Sequence, residues 1–153
     1  MICVCEELDP LKYSLPGKVA ILESKETVLN AFGLKSEQWL NVWDIDSRLL
    51  TVFYRSLDPV YQWFIVVYDY QTFCLDIEMK EAIIWHEIGH IAHPVHVGDA
   101  NLDSEIRCDD LAIERGYKDG LKRVLDLTLK MAKTLNNELL ANITSERQTR
   151  LAL

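Results

Sequence analysis

Residues that interrupt regular structure are scarce: the 153-residue chain has six glycines and four prolines. That excludes collagen-like and low-complexity chains. No internal repeat and no Pro/Gly/Ser-rich stretch marks a boundary, so the expectation is one domain spanning 1–153. Long apolar runs are also missing. The longest, Trp63 to Tyr68, has six residues, against the roughly 20 that a membrane-spanning helix needs, so no membrane partner is expected. Basic residues are in deficit, 16 Lys and Arg against 24 Asp and Glu, and the net charge is -8. With no basic cluster to reverse that sign locally, nucleic-acid backbones and anionic lipid are repelled, and no nucleic-acid partner is expected. The opening Met-Ile-Cys-Val-Cys-Glu-Glu carries acid where a secretory signal carries base. The expected location is cytoplasmic, with Cys3, Cys5, Cys74 and Cys108 as reduced thiols. The single residue between Cys3 and Cys5 is tighter than the usual zinc-ligand pair spacing.

What is present is ordinary globular composition, 49% apolar and 26% charged, in a chain long enough to bury about two-thirds of its unfolded surface. Aromatic and β-branched residues concentrate up to about residue 75, and helical periodicity takes over beyond it. Lys18 to Leu22 reads as a strand, followed by a helix capped by Ser24 and closed at Gly33. Leu49 to Tyr54 and Trp63 to Tyr68 read as an antiparallel pair about the Asp58-Pro59 turn. Asp76 caps a helix from Ile77 to about His93, and a second helix runs from about Asp103 to Arg115 before Gly116. Two more helices follow, one through Leu121 to Leu135 and one across Leu139 to Leu151. The fold class is α+β: a small antiparallel or mixed sheet, a site-bearing helix and a helical C-terminal half.

One segment carries chemistry: His86-Glu87-Ile88-Gly89-His90, an H-E-x-x-H inside a helix. Four residues are little more than one turn, so His86 and His90 share a face and can converge on one ion. Glu87 lies about 100° around the helix from His86, where its carboxylate can act as general base on a metal-activated water. The alternative is a buried helix whose two histidines are satisfied by core hydrogen bonds. A catalytic zinc needs a third protein ligand. His96 would complete a longer histidine motif, although His93 stands where that motif turns on glycine. Glu105 is the other candidate, because it opens the second helix with Asp109 one turn further along the same face. Asp109 could then accept the remaining ring N–H of a ligating histidine and fix its tautomer. The alternative for both acids is a solvated face.

Glu105-x-x-x-Asp109-x-x-Ala112, then Gly116-Tyr117 and Leu121, downstream of His86-Glu-Ile-Gly-His-Ile91, resembles the gluzincin metallopeptidases of the HtpX and CAAX-prenyl-protease type. The similarity covers about residues 75 to 121. It implies a zincin-like fold, Zn2+ held by His86, His90 and Glu105, Glu87 as catalytic base, and hydrolysis of a polypeptide substrate. Thr144-Ser-Glu-Arg147 to Leu151 is similar to that family's closing segment, with Ser145 where the family has histidine. Arg147, Arg150 and Tyr117 are candidates for the oxyanion-stabilising role that this histidine carries. The 14-residue spacer between the motifs is shorter than usual there and also resembles the ImmA/IrrE metallopeptidases, which act on transcriptional repressors. In zincins an edge strand beside the metal helix pairs with extended substrate; Trp63 to Tyr68 could serve so, or could be a buried core strand. The competing class is a non-catalytic zinc-binding module of the same fold that holds a protein partner.

Overall fold

A computed structural model describes residues 3–92 and 102–152. His93 and His96 lie outside the described residues. The chain packs as two compact units, Met1–Leu75 and Asp76–Leu153, divided where the aromatic and β-branched composition gives way to helical patterning. With four strands and seven α-helices among the described residues, it is an α+β protein whose C-terminal half is helical. No described helix is long and apolar enough to cross a membrane.

The first unit is a four-stranded mixed sheet with short helices. Its strands are β1 (Cys3–Glu7), β2 (Val19–Glu23), β3 (Thr51–Arg55) and β4 (Trp63–Val67), in the order β1-β2-β4-β3. β2 and β4 pair in parallel, with Ile21 opposite Ile65, and each has an antiparallel partner on its other side. These interior strands are also the most apolar: Val19 to Leu22 and Ile65 to Val67 are buried, as strands covered on both faces must be. β4 therefore has no free edge, and Trp63 to Val67 is a core strand, not a docking edge. β1 is an outer strand whose Cys-Val-Cys-Glu-Glu is mostly exposed or half-buried, and acid on an edge discourages further pairing. Ser24 caps α1 (Lys25–Ala31) by accepting from the Thr27 amide. α2 (Gln38–Val42) and α3 (Tyr70–Phe73) complete the unit. Asp69 caps α3, and Tyr70 donates its hydroxyl to Glu6 Oε1 at 2.5 Å, tying α3 to β1.

The second unit is a helical assembly of α4 (Ile77–Ala92), α5 (Leu102–Glu114), α6 (Lys118–Thr134) and α7 (Glu138–Ala152). α4 is its central element: Met79, Ala82, Ile84, Trp85, Ile88 and Ile91 are all buried. α4 packs on α5 and α6, and α7 packs on both α5 and α6. Two glycines let backbones meet. A side chain at Gly120 would collide with the Glu78 carbonyl, and one at Gly89 would lie 2.8 Å from the Cys108 Cα. Gly116, with φ of 94°, adopts the left-handed geometry that ends α5 and turns the chain into α6.

Candidate metal centre

The close approach at Gly89 sets the geometry of the site. Because nothing projects from position 89, α5 can lie against the stretch of α4 between His86 and His90. The facing residues of α5 then sit beside the two imidazoles. The histidine ring centroids are 5.1 Å apart and the rings nearly perpendicular, at 79°. His86 Nε2 is 2.8 Å from Glu105 Oε2, and His90 Nε2 is 3.8 Å from Glu105 Oε1. The carboxylate thus spans both rings.

Behind this group lies a second set of contacts. His86 Nδ1 is 2.8 Å from Asp109 Oδ1, so Asp109 holds the far side of the imidazole, as its spacing from Glu105 suggested. Asp109 is bound in turn by Arg147 of α7, whose Nε donates to Oδ2 at 2.7 Å and Nη2 to Oδ1 at 2.8 Å. Arg147 Nη2 also comes within 3.5 Å of His86 Nδ1. This two-pronged pairing is the geometry that guanidinium and carboxylate favour. Among the three oxyanion candidates, Arg147 pairs chiefly with Asp109, and its Nη1 also lies 4.0 Å from Glu105 Oε2. Arg150 is exposed and reaches Asp110 at 3.4 Å, and Tyr117 is half-buried at the start of α6.

The charges reinforce one another. Burial works against protonation of His86, but its hydrogen bonds to Asp109 and Glu105 prevail, and its pKa is pushed up to about 9. Burial lowers the pKa of His90, and the neighbouring His86 charge lowers it further. For Glu105, burial raises the pKa, yet the bond to His86 and the charges of His86 and Arg147 hold it below the ordinary carboxylate value. Asp109 behaves likewise, with Arg147 as the larger of its two hydrogen-bonding partners. Both carboxylates are thus ionised and able to act as ligand or anchor at neutral pH.

One member of the cluster was not anticipated. His86, His90 and Cys108 bring ligand atoms within 4.8 Å of one another, a buried group that could hold a metal ion. Cys108 lies between Glu105 and Asp109 on α5 and is fully buried. Burial first, then the charges of Glu105, Glu87 and Asp109, push its pKa up to about 12, so without metal it is a neutral thiol. Glu87 is half-buried one residue beyond His86.

Comparison with known proteins adds no assignment: the chain matches no family model, no curated protein and no solved structure. What the cluster can do is decided by its own chemistry. The two imidazoles and the buried thiol could hold a metal ion, with the Glu105 carboxylate beside both rings. All of these groups lie in the unit Asp76–Leu153.

Proposed function

We propose that the chain is a zinc-dependent endopeptidase of the gluzincin kind, with His86, His90 and Glu105 as metal ligands and Glu87 as general base. The observation that carries this reading is the pair of separations between Glu105 and the two imidazoles, 2.8 and 3.8 Å. At zinc–ligand distances near 2.1 Å, neighbouring ligands of a tetrahedral site stand about 3.4 Å apart. Each Glu105 oxygen thus lies within about 0.6 Å of that spacing from one of the two ring nitrogens, which supports the carboxylate as the third ligand. The donors belong to two helices fixed at Gly89, and His86 is oriented by Asp109, the kind of support that metal-ligating imidazoles need.

Bound zinc supplies an acidified water and a Lewis acid for the scissile carbonyl. Glu87 accepts the proton of the attacking water and returns it to the departing amine. Asp109 accepts from the His86 Nδ1–H, so Nε2, which faces Glu105 at 2.8 Å, is the nitrogen turned toward the ion, and Arg147 holds Asp109 ionised and in place. Purified protein should contain one zinc per chain and cleave denatured protein substrates, with cleavage abolished by chelator. Glu87→Gln should retain the zinc and lose cleavage. Undiminished cleavage by that variant would remove Glu87 from the mechanism, and a protein that takes up no metal would overturn the whole reading.

A further inference from the structure

Cys108 is the member of the cluster that the peptidase chemistry leaves unused. Its side chain is fully buried, and its ligand atom belongs with those of His86 and His90 to one group within 4.8 Å. Helical geometry explains its position. Cys108 follows Glu105 by three residues, so both lie on the same side of α5, and the sulfur occupies the space opposite Gly89, 2.9 Å from where a β-carbon there would stand. Resting on the metal reading above, we propose that Cys108 is a fourth protein ligand, giving the ion a closed and catalytically silent form held by His86, His90, Glu105 and Cys108.

A hydrolytic zinc keeps three protein ligands and one open position, whereas four protein ligands make a structural site without solvent. His86 and His90 face two further donors, the Glu105 carboxylate at 2.8 and 3.8 Å and the Cys108 sulfur within 4.8 Å. Zinc–nitrogen and zinc–sulfur distances near 2.1 and 2.3 Å put a tetrahedral N···S separation at about 3.6 Å, and the Cys108 sulfur already lies within 4.8 Å of both histidine ligand atoms. On closure the S–H bond breaks, its electron pair becomes the metal–sulfur bond, the proton passes to solvent and the solvent ligand departs. Nothing is oxidised or reduced. Return of water to the position that the sulfur leaves restores the three-ligand site.

Cobalt titration of the metal-free full-length chain tests this directly. One equivalent should produce the visible bands of four-coordinate cobalt together with an intense near-ultraviolet thiolate-to-cobalt band. Cys108→Ser and the smaller Cys108→Ala should keep the visible bands, lose the near-ultraviolet band, and with zinc cleave denatured protein faster than the wild type. Visible bands without the near-ultraviolet band in the wild type would refute thiolate ligation while leaving the metal centre standing. Persistence of that band in Cys108→Ala would assign it to another cysteine and equally refute the proposal. Absence of any cobalt spectrum would bring down the metal reading itself.

Discussion

The pairing of Arg147 with Asp109 makes a quantitative prediction. Their side chains are 10% and 3% exposed, and Arg147 Nε and Nη2 contact the two carboxylate oxygens at 2.7 and 2.8 Å. Replacing Arg147 by methionine keeps most of the side-chain volume but strands a buried carboxylate, a loss that costs about 3–5 kcal/mol. His86 still faces Asp109 from the other side, and with its pKa near 9 it is protonated at neutral pH in metal-free protein. The lower end therefore applies, about 3 kcal/mol, or roughly 6–12 °C in melting temperature for a chain of this size. Adding Asp109→Asn should recover much of this, because the amide oxygen still accepts from His86 and no charge is left stranded. Urea unfolding of wild type, both single variants and the double variant, with chelator present, closes the cycle. A cost below about 1 kcal/mol for Arg147→Met, or singles that add to within about 0.5 kcal/mol of the double, would refute the reasoning. Metal titration of the same variants should show zinc affinity about 10–100-fold weaker, since His86 loses the support that aims its ring.

Gly89→Ala gains about 1 kcal/mol of helix propensity, but its new methyl meets the Cys108 backbone at 2.8 Å. We therefore expect a net loss of about 1–2 kcal/mol with weaker metal binding, and an unchanged or raised melting temperature would contradict the packing described. The Thr144 hydroxyl is fully buried and finds no hydrogen-bond partner among the described residues. Thr144→Val should thus stabilise by about 1 kcal/mol in urea unfolding, and a destabilised variant would mean that this hydroxyl is satisfied. Asp46 is held below the ordinary carboxyl value of 3.8, chiefly by its hydrogen bond from Arg48 and against the effect of burial. A depressed folded-state value contributes stability that is fully present above pH 3.8 and is lost as pH falls from there through the lower folded-state value. The advantage of wild type over Asp46→Asn should accordingly shrink below about pH 4 in acid unfolding monitored by circular dichroism; a constant difference would argue against the ion pair.

The sequence made the site visible wherever the helix itself fixes the relation between residues. His86 with His90, and Glu105 with Asp109, are each one turn apart, so a correct helix assignment suffices to align them, and both helices lie within one or two residues of their expected bounds. What escaped depends on contacts between elements. Arg147 reaches Asp109 across 38 positions of sequence, and no local pattern marks that pairing. Cys108 was passed over because its significance comes from facing Gly89 on another helix. The strands show the same division: β2, β3 and β4 were legible from β-branched and aromatic content, and the β3–β4 pairing from its turn. The parallel β2–β4 pairing that buries β4 was not, because it joins strands far apart in sequence. β1 lacks apolar alternation, and α2 and α3 are shorter than the periodicity needed to recognise them.

The contact between Gly89 and Cys108 also limits how this protein can change over evolutionary time. Each position occupies space that the other leaves vacant, so bulk gained on one helix must be surrendered by its neighbour or the helices part. Separation would pull Glu105 away from both imidazoles together, because all three depend on the same spacing. Lineages descending from this sequence should therefore retain a glycine at 89 long after surface residues of the same helices have been replaced.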